Sequence, residues 1–118
     1  MEIQITEKLK IDDGPYQGVI TAVSYRDKPY NYTDVTIQFT FKERPVELTA
    51  GYATAVSQDS SLGKLLIRFK AELVPGQTID PAKPLLGKHC LFQVVNKETP
   101  KGSFANVLPD SVCPDINT

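Results

Sequence analysis

Along residues 33–42, "TDVTIQFTFK", Val35, Ile37, Phe39 and Phe41 alternate with Thr36, Gln38, Thr40 and Lys42. A period of two over that length predicts a half-buried antiparallel strand with one polar face. Glu43-Arg44 supplies a short turn before Pro45. Residues 46–52, "VELTAGY", then alternate again, with Val46, Leu48, Ala50 and Tyr52 on one face. The pair predicts a hairpin with Tyr52 on its core side. Upstream, 16–25, "YQGVITAVSY", carries apolar residues on both faces: Val19 and Val23 on one, Ile20 and Ala22 on the other. A long first strand buried on different sides in its two halves gives that pattern, with Gly18 as its bend or bulge.

The period then changes. Leu62, Leu65, Leu66, Phe69 and Leu73 recur at helical spacing and predict an amphipathic helix. Asp59, Ser60 or Ser61 caps its start, and Pro75-Gly76 ends it. Lys64, Arg68 and Lys70 weight its second half with cations, as the helix dipole favours. Gly63 costs about 1 kcal/mol of helix propensity, which points to a close neighbour. A proline-punctuated loop, "GQTIDPAKPLLG", leads to a buried strand, "KHCLFQVVNK", then a turn, "ETPKG", and a last strand, "SFANVLP".

The order is strand, strand, strand, helix, strand, strand. A helix between the third and fourth strands, plugging one end of a small closed sheet, is the order of an OB-fold, a five-stranded Greek-key barrel. The expectation is therefore a mainly β protein: an extended lead-in over 1–13, one OB-type domain over 14–109 and a tail over 110–118.

Composition narrows the chemistry. The chain has 118 residues, 41% hydrophobic and 23% charged, as expected of one globular domain. No apolar run approaches membrane-spanning length, and the first residues lack the pattern of a signal peptide, so a cytoplasmic protein is expected and no membrane partner. The formal charge is −1, but it is unevenly spread. Residues 15–108 hold eleven Lys/Arg against eight Asp/Glu, and both ends are acidic. A mildly basic body permits a polyanion partner without requiring one. His89, Cys90 and Cys113 do not form a zinc pattern. Cys90 reads as a buried free thiol and His89 as part of the same buried strand. With no Gly-rich phosphate loop, nucleophile–base pair or clustered carboxylates, neither catalysis, a metal nor a cofactor is expected.

The chain resembles the phage and prophage families of OB-fold, single-stranded-DNA-binding-like proteins. The resemblance covers about residues 13–109. It rests on Ser60, Leu62, Leu65 and Leu66 in the helix, on Leu86-Gly87-Lys88 entering the fourth strand, on Lys101-Gly102 in the following turn and on Asn106-Val107 in the last strand. It implies binding of single-stranded DNA in replication or recombination. Two departures stand out. The first hairpin tip carries "YRDKPYNYTD" where members often have a Lys-Gly-rich tip. The chain ends "PDINT", not in the acidic Pro-Phe tail that recruits repair partners in bacterial single-stranded-DNA-binding proteins.

On an OB barrel the binding surface is the outer face of strands two and three, bracketed by the loops joining strands one to two and four to five. The expected nucleic-acid contacts are Tyr25, Tyr30 and Tyr32 as stacking platforms and Arg26 and Lys28 on phosphates. Gln38 and Lys42 lie on the strand face, and Lys97, Lys101 and Phe104 in the second loop. Each tyrosine has an alternative as packing over the barrel rim, and Phe104 as core. A second reading of the whole is an OB-type module that binds protein, inside a phage particle or a DNA-processing complex. Strand edges that pair between subunits would make a homo-oligomer.

Overall fold

The computed structural model describes residues 11–27, 30–57, 59–100 and 102–115. The chain is mainly β and forms one antiparallel sheet. Its strands are β1 (Gly14–Arg26), β2 (Tyr32–Phe41), β3 (Arg44–Ala53), β4 (His89–Thr99), β5 (Gly102–Val107) and the two-residue β6 (Cys113–Pro114). Two helices, α1 (Ser61–Arg68) and α2 (Ala82–Leu85), lie between β3 and β4. The sheet order is β3-β2-β1-β4-β5, with β6 on the remaining side of β4. Among the described residues no ladder joins β3 to β5, so the expected closed barrel is not formed.

β1 serves two neighbours, as its sequence predicts. Gly14–Val19 pair with β4, and Val19–Arg26 pair with β2. The irregularity between them is not at Gly18. It falls between Ile20 and Ala22, where the register with β2 shifts. The bulge absorbs one residue, so Ile20 and Val23 both come to face the core, opposite Ile37 and Val35. The two-faced pattern of "VITAV" is the signature of that bulge. Gly18 has a different reason. A Cβ there would lie 2.7 Å from Ile37 Cγ2 and 2.8 Å from the Gln38 carbonyl, so only glycine lets β1 cross this close to β2.

In β2, Thr33, Val35, Ile37, Phe39 and Phe41 are all buried, as the alternation requires. Phe39 meets Tyr16 at 5.3 Å and Phe92 at 5.1 Å between ring centroids, an aromatic cluster that also takes in Phe41. The β2–β3 turn is one residue earlier than Glu43-Arg44. Lys42 and Glu43 form it, both at positive φ. Two such residues give the turn whose twist suits a hairpin. Tyr52 is buried, and its hydroxyl donates to the Pro109 carbonyl at 2.7 Å.

α1 is shorter than its apolar stripe. Ser60 caps it by accepting from the Gly63 N–H at 2.9 Å. Its end comes at Arg68, well before Pro75-Gly76. Lys70 turns left-handed (φ +67°), its N–H reaching the Ile67 carbonyl and that of Ala71 the Leu66 carbonyl. Those two bonds make a Schellman cap, built here on a lysine where glycine is usual. Leu73 therefore leaves the helix but still packs on the core. Gly63 has the expected close neighbour: a Cβ would sit 1.7 Å from the Ser57 carbonyl oxygen.

Two further segments differ from the sequence reading. The proline-rich loop contains α2, which buries Leu85. Residues 110–115, read as part of the tail, complete with Pro109 a 3-10 turn, add β6 and bury Val112. Arg68 Nε holds that segment by donating to the Val112 carbonyl at 2.8 Å. His89 is exposed at the start of β4, not buried, while Cys90 beside it is fully buried and free. Among the described residues no helix is long and apolar enough to cross a membrane.

Candidate nucleic-acid interface

The outer face of the β1–β2–β3 meander is ordered by its register. Its rows run Arg26–Tyr32–Ala53, Ser24–Asp34–Gly51, Ala22–Thr36–Thr49 and Val19–Gln38–Glu47. Thr36 is half-buried, and Gln38 and Thr40 are exposed, so the polar face predicted for β2 is present.

Its charge is not what a phosphate-binding face needs. Arg26 is tied to Asp34 by two hydrogen bonds: Nε donates to Oδ2, and Nη2 to Oδ1 at 3.0 Å. The guanidinium also lies 5.2 Å from the centroid of the Tyr32 ring. The hydrogen bond to Asp34, which outweighs a small desolvation, raises the Arg26 pKa further. Gly51 makes room for the pair. A Cβ there would approach Asp34 Oδ1 at 3.3 Å and Arg26 Nη2 at 3.6 Å. In these rows the remaining charge is Glu47. Asp34 and Gly51 were missed from sequence; a hairpin register that pairs Arg26 with Tyr32 sets Asp34 diagonal to Arg26.

The aromatic residues divide. Tyr32 is half-buried on the outer face beneath Arg26. Tyr25 is opposite the buried Thr33, hence on the inner side of the sheet, but beyond the core. It is 59% exposed, and partial burial together with the nearby Asp80 carboxylate pushes its hydroxyl pKa up. Tyr30, in the loop, is 71% exposed. A concavity of about 350 Å³ opens at this tip, lined by Tyr25, Arg26, Asp27, Asn31 and Thr54. Lys28 lies outside the described residues.

The other expected contacts are elsewhere. Lys42 belongs to the β2–β3 turn, not the strand face, and its ammonium sits 5.4 Å from the Phe41 ring centroid. Lys97 and Phe104 are exposed and opposite one another in the β4–β5 ladder. Lys101 lies outside the described residues. Tyr25 is eleven residues along β1 from Gly14, and Gly14 pairs with Val94, three residues short of the Lys97 row. At about 3.3 Å per residue the two loops are separated by roughly 45 Å of strand contour. They are the two ends of a long surface, not one cleft.

Among the described residues no group of three or more His, Cys, Asp or Glu side chains is placed to hold a metal ion. Comparison with protein-family models and with curated proteins found no match to this chain.

Proposed function

We propose that this chain is an OB-type module that binds single-stranded DNA without strong sequence preference, through the β1–β2 hairpin tip, in phage-type replication or recombination. The OB reading is supported by the strand order, by β1 serving both β2 and β4, and by a capped helix between β3 and β4. The observation that carries the binding reading is the pair of exposed rings, Tyr25 and Tyr30, beside a concavity at the hairpin tip. Exposed rings stack on unpaired bases of any identity, at about 1–3 kcal/mol per base. Bonded to Asp34, Arg26 has little left for phosphate, so stacking carries most of the affinity.

The chain has no tryptophan, and three of its five tyrosines, Tyr25, Tyr30 and Tyr32, belong to the β1–β2 hairpin, so a part of the tyrosine fluorescence comes from the tip. Oligo-dT is expected to quench part of it, and Tyr25→Ala with Tyr30→Ala is expected to remove most of that quenching while the far-ultraviolet circular dichroism stays unchanged. Equal quenching in the double variant rejects the role of the rings.

A second reading, a module that binds protein, is favoured by one observation: the β1–β3 outer face is small-residued and close to neutral, with its guanidinium already paired.

A further inference from the structure

A second concavity lies away from the outer face of the sheet. It is a groove of about 620 Å³ between the segment after β3 and the chain that follows α1, lined by the apolar Val56, Leu73, Val74, Pro75 and Ile79 and by the polar Ser57, Gln77 and Thr78, with Glu72 its one charged residue among those described. Leu73 and Ile79 are anchored on the core, whereas Val56 and Val74 are 41% and 48% exposed. The volume is that of a binding cleft for a few side chains.

Two observations say what it fits. First, the wall is strand-like but has no strand partner. Burial alternates from Ala71 to Val74, half-buried, exposed, half-buried, exposed. Among the described residues no hydrogen bond engages the backbone of Val56, Glu72 or Leu73, or the Val74 N–H. A row of unused donors and acceptors next to apolar pockets is the surface on which extended peptides add a strand. Second, the sign of the charge is wrong for nucleic acid. Among the described residues no cation lines the groove, Glu72 does, and Asp80 follows Ile79 directly.

We propose that this groove receives an extended segment of a partner protein, with alternate apolar side chains in the groove and a lysine or arginine opposite Glu72. The proposal does not depend on what the hairpin tip binds.

The test is a 15N–1H correlation titration of the whole chain with the capped heptapeptide Thr-Val-Lys-Val-Thr-Val-Lys. Three controls accompany it: the same peptide with glutamate for lysine, one with proline at its central valine, and oligo-dT. The lysine peptide should shift Val56, Ser57, Leu73, Val74 and Ile79 with a dissociation constant on the order of 1 mM. The glutamate and proline peptides should each bind about fivefold more weakly. Glu72→Lys, an exposed change that preserves the spectrum elsewhere, should reverse the charge preference. Absence of shifts at several millimolar, equal response to the proline peptide, or shifts of these residues by oligo-dT instead would each overturn the proposal.

Discussion

Asp34 holds Arg26 across the first hairpin, with both oxygens engaged and Gly51 leaving space for the pair. The contact decides how much electrostatic attraction the hairpin offers a polyanion. A carboxylate in that position keeps the one described cation of the outer rows occupied.

Asp34→Asn should therefore raise affinity for single-stranded DNA at low salt, even though the substituted residue is not expected to touch DNA. Releasing one guanidinium to one phosphate should steepen the log–log salt slope by about 0.7. Unchanged affinity and slope in this variant would mean that Arg26 has no access to the nucleic acid.

Two substitutions around α1 should act in opposite directions, against their helix propensities. Gly63→Ala improves propensity by about 1 kcal/mol, but its methyl would enter the Ser57 carbonyl; a net loss of about 1–3 kcal/mol in urea unfolding is expected. Lys70→Gly relieves a left-handed lysine and should gain about 1 kcal/mol. If Gly63→Ala were neutral, the β3–α1 connection would not approach the helix this closely.

These positions show where the sequence was legible. The unbroken alternation of Val35, Ile37, Phe39 and Phe41 defined β2 because each inner residue is buried against a continuous core. The stop of α1 was hidden because Lys70 carries no sign of a left-handed turn, and the apolar stripe ran on to Leu73 for a tertiary reason, packing outside the helix. The bulge near Thr21 was visible as a two-faced pattern, but the glycine three residues before it, Gly18, serves the close approach of β1 to β2 and not the bulge. At the site, the faces on which the expected contacts lie were not legible in the sequence. Tyr25 and Tyr32 lie on opposite sides of the sheet because seven residues and a hairpin separate them.

Alkaline pH should weaken the fold before it alters the tip. Burial, with smaller contributions from Cys113 and Asp115, pushes the Cys90 thiol up to about 12, from the ordinary thiol value of 9.0. The unfolded chain therefore loses that proton first. Stability is full below pH 9.0 and falls between there and about 12, at up to about 1.4 kcal/mol per pH unit. Burial raises the Tyr52 hydroxyl in the same direction. Urea unfolding at a series of pH values checks the slope. A thiol reagent at neutral pH should modify the half-exposed Cys113 quickly and Cys90 only on unfolding. Equal rates for the two thiols would contradict the burial of Cys90.

The most direct measurement is fluorescence anisotropy of a labelled oligo-dT of about 20 nucleotides, titrated with the folded protein at low and moderate salt. Binding at micromolar concentration or tighter, with a salt slope shallower than about −2, is the predicted result, because rings and not cations carry the contact. No binding at tens of micromolar would contradict single-stranded DNA as the ligand, and a steep slope would contradict stacking as its basis.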